Sequence, residues 1–197
     1  MARPPAHAER SAVQRIEEAF WELLSSMKYD DITIAALARH ANINHNTIYY
    51  HYRNLDDVAF SLIDKLTDSV PLEVFAQALT QGDMGGRHSI AILLNEHPEV
   101  HGLFARAALI GRSGSSDIIA YLRKRVEERW LGVLGIAPDD AEESLRLLLT
   151  FMTGGMLSIV STVDDDEDVV TKIVPIFNEG ISQAFVSTLT RLAARSQ

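Results

Sequence analysis

The sequence has no cysteine among its 197 residues, which removes disulfide scaffolds, thiolate metal sites and thiol nucleophiles. Cysteine usage therefore says nothing about redox compartment. Aromatic residues are few at 7%, and 11 glycines and 6 prolines lack the turn density of an all-β chain. Positive charge is also short: 18 Lys and Arg against 27 Asp and Glu leave −9 and a pI near 5.2. That balance excludes a bulk electrostatic nucleic-acid binder but leaves room for a small DNA-reading face. The opening MARPPAHAERSAV has no apolar core of a signal peptide, so a cytoplasmic chain is expected. The most apolar long stretch, 145–163, is interrupted by Arg146, Thr150, Thr153, Ser158, Ser161 and Thr162 and reads as too polar to span a membrane.

What is present is an ordinary globular composition, 47% hydrophobic and 23% charged, in a mass of 21.8 kDa. That size suits one large domain or a large and a small one. Val13, Ile16, Phe20, Leu23, Leu24 and Met27 recur at spacings of three and four, which predicts a first helix over 10–27. Thr33 sits where a helix N-cap belongs, ahead of Ile34, Leu37, Ala38 and Ala41. Asn42 and Asn44 flank Ile43 and predict a tight turn, since asparagine tolerates left-handed angles and caps helices. Residues 45–52 then form a helix with Ile48 and Tyr52 inward, leaving His45, Asn46, Thr47, Tyr49, Tyr50 and His51 more exposed. Asn54 caps a fourth helix, whose first turn holds Asp56 and Asp57.

Beyond Ser69 the chain stays helical in period, with breaks at 82–86, Pro98, 111–116, 135–138 and the acidic run 164–168. Ile119, Leu122, Val126 and Trp130 form one stripe opposite Arg123, Lys124, Glu127 and Glu128, the pattern of a surface helix. Apolar residues from Leu145 to Val160 cover nearly the whole circumference of their helix, which implies burial on both sides, one of them against a partner subunit. Helices are expected over about 139–163 and 167–194, the second bent or delayed by Pro175. No repeat and no alternating strand pattern is visible. The fold class is all-α: an N-terminal three-helix head with a helix-turn-helix, and a C-terminal helical domain. The boundary is expected near Asp68, dividing 1–68 from 69–197.

Residues 33–52 have the form of a helix-turn-helix, whose second helix carries small hydrogen-bonding and aromatic side chains. Asn and Thr read base edges in the major groove, while Tyr and His hold phosphate oxygens. The alternative on periodicity alone is a plain helical hairpin within a bundle. The stretch TIAALARHANINHNTIYYHY, followed by RNLDDV, resembles the DNA-binding head of TetR family bacterial transcriptional regulators. Ala38, Ala41, Ile43, Thr47, Ile48, Tyr49 and Tyr52 carry the likeness, which extends over about 10–66.

The resemblance implies a homodimeric repressor, dimerised through its last two helices, that binds a palindromic double-stranded DNA operator and leaves it when a small-molecule effector binds the body. By that resemblance Asn44, His45, Asn46, Thr47 and Tyr50 contact bases or phosphates, and Thr33, Tyr49 and His51 hold phosphates. Two positions depart from the family pattern. Asn42 stands for a common turn glycine, and Leu55 for the usual lysine at the start of the fourth helix. The first 60 residues carry six Lys or Arg and eight carboxylates, with four histidines. DNA binding is therefore expected to lean on hydrogen bonds and on Arg3, Arg10, Arg39 and Arg53 rather than on a lysine cluster. The rival reading is a helical ligand-binding or interaction module whose head has lost DNA binding.

Phe104, Trp130, Phe151, Met152 and Met156, with His101 and Arg106 as polar groups, are the candidates for an effector pocket, against the plain alternative of core packing. No metal site and no cofactor are expected. His97 and His101 straddle the helix start that Pro98 marks, and the acidic run 164–168 reads as dipole partners of a helix start. Gly154 and Gly155 lack the pattern of a phosphate loop. No nucleophile, base and acid constellation is apparent, so an enzyme is not expected.

Overall fold

The computed structural model describes residues 11–73, 99–162 and 182–195, and among these there is no strand. Helix α1 spans Ala12–Ser26 and opens on a capping box, in which Ser11 Oγ accepts from the Gln14 amide and Gln14 Oε1 accepts from the Ser11 amide. Its buried face holds Ile16, Ala19, Phe20, Leu23 and Leu24. A 3-10 turn at Tyr29–Asp31 leads into α2, Ile34–His40, capped by Thr33 as its sequence position predicts. Helix α3 spans His45–His51 and α4 spans Leu55–Asp68. Asn54 Oδ1 accepts from the Asp57 amide at 2.8 Å, and Asp56 and Asp57 occupy the first turn of α4.

The second part of the chain supplies α5 at Glu99–Ser113, α6 at Ser116–Val133, α7 at Glu143–Ser161 and α8 at Ser182–Ala193. Gly135, with φ of 70°, follows the end of α6, and a 3-10 turn at Pro138–Asp140 precedes α7. Helix α5 lies along α7, α6 along α4, and α1 against α5. Gly111 allows the close crossing of α5 and α7, because a Cβ there would collide with Ser161 Oγ. Pro175, His97 and the acidic run 164–168 lie outside the described residues.

Two apolar clusters hold the helices. The larger begins at Ile16 and Phe20 in α1, passes through Leu37, Ile48, Val58 and Ile63, and continues into Ile110, Ile118, Leu122, Leu157 and Val160. The smaller joins Leu131, Ile136, Leu145 and Leu149 to Phe185, Leu189 and Leu192 of α8. The first four helices therefore share one core with α5, α6 and α7, and their orientation rests on that packing.

The expected stripe of α6 faces the two cores, with Leu122 buried, Ile119, Val126 and Trp130 half-buried, and Ile118 and Leu131 buried beside them. Arg125 and Arg129 of α6 turn toward α4 and the residues just after it, where carboxylates pair with them. One expectation is corrected. The stretch expected to be too polar for a membrane span is long and apolar enough for one by length and composition, with a mean hydropathy of 1.4 over 18 residues of Glu143–Ser161, because polar residues spaced along a helix lower its mean hydropathy only modestly. Helix α7 packs against α5, α6 and α8. On the remaining face Leu147 is 62% exposed and Phe151 74%.

Candidate nucleic-acid interface

The interface candidate is built around one left-handed residue. Asn42 has φ of 52°, the only positive φ outside glycine among the described residues. Its amide donates to the Arg39 carbonyl at 3.1 Å and the Ile43 amide to Ala38 at 3.0 Å, which ends α2 and reverses the chain. Arg15 of α1 donates to the Asn42 carbonyl, holding the turn against the first helix. His40 Nε2 lies 2.8 Å from Glu22 Oε2 and ties the end of α2 to α1. These two contacts were not legible in the sequence, since Arg15 and Glu22 sit on α1 with nothing local to mark them. They border an open groove of about 600 Å³ lined by Arg15, Glu18, Ala19, Glu22, His40, Ala41 and Asn42.

Beyond the turn, Asn44 starts α3 by accepting the Asn46 amide on its side chain at 2.9 Å. Ile48 is fully buried and Tyr52 nearly so, which anchors α3 on α1 and α2 and forces its other residues outward. Asn44, His45, Asn46, Tyr49, Tyr50 and His51 are exposed, and Thr47 is half-buried. Tyr50 is 84% exposed and Tyr49 54%. The rings are ordered edge to face, His45 with Tyr49 at 6.3 Å and Tyr50 with His51 at 4.9 Å. Thr33, exposed at the head of α2, spends its hydroxyl lone pair on the Ala36 amide at 3.1 Å. Its O–H remains a donor for an acceptor such as a phosphate oxygen.

Charge is sparse here. Arg53 grips Asp57 through its amide at 3.0 Å and its guanidinium at 3.0 and 3.3 Å, so its charge is already matched. The hydrogen bond between the two side chains raises the pKa of Arg53 and lowers that of Asp57. Leu55, at the position where the resemblance implies lysine, is half-buried against the larger core. Arg39 is exposed in the last turn of α2, while Arg3 and Arg10 lie outside the described residues.

Behind the recognition surface, Tyr29 and Tyr52 brace α4. The Tyr29 hydroxyl donates to Asp56, and burial followed by that hydrogen bond pushes its pKa far above the usual phenol range. Tyr52 is raised too, first by burial and then by the Glu17 charge. Lys65 pairs with Glu17, which raises the lysine.

The residues considered for an effector pocket are placed apart. Phe104 and Met156 pack on the larger core, Trp130 and Met152 on the smaller, and Phe151 faces outward. Arg106 lies 5.4 Å from the Trp21 ring, joining α5 to α1, and His101 is exposed on α5.

No family model matches the chain, and no curated protein does. Among solved structures it is similar to AlkX, a TetR family repressor from Dietzia sp. strain DQ12-45-1b implicated in biodegradation of n-alkanes. That match has 15% identity and a TM-score of 0.46 and covers 95% of this chain and 100% of the other. It is also similar to a TetR-family transcriptional regulator from Streptomyces coelicolor, with 19% identity and a TM-score of 0.49 over 92% of this chain and 99% of that one.

Proposed function

We propose that the chain is a sequence-specific DNA-binding transcriptional regulator, a homodimeric repressor that leaves its palindromic operator when a small molecule binds the helical body. The observation that carries this reading is the outward face of α3, a short helix set by a left-handed turn and crowded with exposed hydrogen-bonding and aromatic side chains. In the bound state α3 enters the major groove. Asn46, Thr47 and Tyr50 meet base edges or phosphates, and Thr33, Tyr49 and His51 hold the backbone. Two such helices must stand about 34 to 36 Å apart to reach successive grooves, so subunit geometry decides affinity. Leu147 and Phe151 on α7 supply an apolar surface for the second copy, with α8 beside it. The effector site is assigned to the body, 69–197, and it weakens DNA binding only by its differential affinity for two head spacings.

The test is retardation of the duplex upstream of the protein's own gene, at two salt concentrations, beside an unrelated duplex of equal length. Preferential retention supports the reading. Equal weak binding to both, followed by a random-duplex selection that enriches no palindrome, overturns it. That result favours a helical ligand-binding module, to which the pairing of Arg53 with Asp57 and the half-buried Leu55 side chain point.

A further inference from the structure

The seam between α4 and α6 is built from charge. Arg125, a half-buried guanidinium on α6, places Nε 2.7 Å from Asp64 Oδ1 and one terminal nitrogen 3.5 Å from Asp68 Oδ1, both on α4. Its other terminal nitrogen donates to Glu128 Oε2 at 2.8 Å. Tyr121, one turn earlier on α6, donates to Asp64 Oδ1 at 3.0 Å and stacks on Phe60 with centroids 4.2 Å apart. Arg129, one turn later, reaches the Val70 carbonyl and Glu73 just past the end of α4. Helix α4 is thus held by the head at its start, through Tyr29 and Asp56, and again at Lys65, through Glu17 of α1, while α6 holds the other side of its last two turns.

Three carboxylates meet at the Arg125 guanidinium, and the far oxygen of Glu128 also lies 3.7 Å from Lys124 Nζ on the same helix. Without Arg125, Asp64 and Asp68 on α4 have, among the described residues, no cation of α6 within ion-pair distance and face the Glu128 carboxylate, which Lys124 matches only in part. A partly exposed cluster of this kind adds little net stability, but charges fixed on two helices are matched in one arrangement of them and mismatched in its neighbours. Since Asn54 is separated from the end of α3 only by Tyr52 and Arg53, the arrangement of α4 is passed to the recognition surface.

We propose that Arg125 is the positioning residue through which the helical body sets the placement of α4, and with it the placement of α3 for operator binding. The proposal rests on the DNA-binding reading given above. Arg125 touches no DNA; it acts through Asp64 and Asp68.

The test uses the full chain. Because the sequence has no cysteine, Ala35→Cys on α2 and Gly132→Cys on α6, both at exposed positions, accept spin labels without background. Labelled chains are diluted in unlabelled ones so that only the distance within a chain is read. Arg125→Met is expected to move that distance by about 2 Å or broaden it visibly, the scale of helix shifts in switching proteins, and to weaken specific duplex binding about tenfold. Binding to an unrelated duplex should not change. Adding Asp64→Asn and Asp68→Asn should shrink the shift, because the repulsion is gone. Arg125→Lys keeps a cation but loses the fork that spans three carboxylates, and gives an intermediate shift even if the methionine variant does not fold. An unchanged distance in Arg125→Met or Arg125→Lys overturns the proposal, as does a shift that persists in full after the carboxylates are neutralised, or a shift without loss of specific binding. A wild-type chain that selects no duplex overturns the DNA-binding reading instead, and the distances, measured without DNA, still decide whether Arg125 places the head.

Discussion

Asn42 and Tyr29 carry two separate demands at the residue scale, one of backbone geometry and one of buried hydroxyl chemistry. Asn42 sits at φ of 52°, where a β-branched side chain clashes with its own backbone. Asn42→Val should cost about 1 to 2 kcal/mol in denaturant unfolding, whereas Asn42→Gly should be close to neutral. Tyr29 keeps its proton in the folded chain well above the pH at which an unfolded tyrosine loses it, because burial and Asp56 both oppose the phenolate. Its contribution is therefore complete below about pH 10 and is lost as pH rises beyond that, because the unfolded chain ionises first. Tyr52, Tyr121 and Lys65 are shifted in the same direction. Stability measured by urea titration should fall above about pH 10, and Tyr29→Phe should make that fall shallower. The left-handed Asn42 was readable from residue type; the Tyr29 to Asp56 contact, spanning 27 positions, was not.

For the elements, α3 shows how burial on one side dictates exposure on the other. Ile48 and Tyr52 are inside, so a seven-residue helix has no choice but to present Tyr49 and Tyr50 to solvent. Thr47→Ala and Tyr49→Ala should each leave helical content and melting temperature within the range of ordinary surface changes. Each should lower operator affinity about fivefold to tenfold in a titration by fluorescence anisotropy, the effect of one lost hydrogen bond or phosphate contact. Wild-type affinity in both would remove α3 as the reading surface. Helix α6 teaches the opposite lesson. Its apolar stripe is legible from periodicity, but nothing local marks Arg125 and Arg129 as partners of the carboxylates of α4 and Glu73. The partner residues lie more than 50 positions upstream, beyond any local pattern.

At the level of the whole molecule, net charge and an uncovered apolar face point to how the chain binds and assembles. With −9 overall and Arg53 already paired, few cations are left to displace counterions from DNA. The logarithm of affinity against the logarithm of salt should have a shallow slope, below that of about eight ion contacts. Phe151, 74% exposed on α7, is a large apolar side chain that the proposed second copy would cover. Phe151→Glu should shift the protein toward monomer in analytical ultracentrifugation and, with the two heads uncoupled, weaken operator binding, while leaving the fold of each chain intact. A dimer of unchanged stability would move the subunit contact elsewhere.

Periodicity, caps and turn residues by themselves determined the helices, from the capping threonine at 33 to the asparagines at 42, 44 and 54, because each is a contact between residues no more than a few positions apart. They also determined which side of α3 faces out. Only the tertiary structure decided that the first four helices share a core with α5, α6 and α7, that Arg15 and Glu22 hold the turn, and that Arg125 of α6 meets Asp64 and Asp68 of α4. Those contacts depend on the mutual placement of helices, and a long cation has the same one-dimensional signature whether it ends in water or against a carboxylate brought to it from another helix.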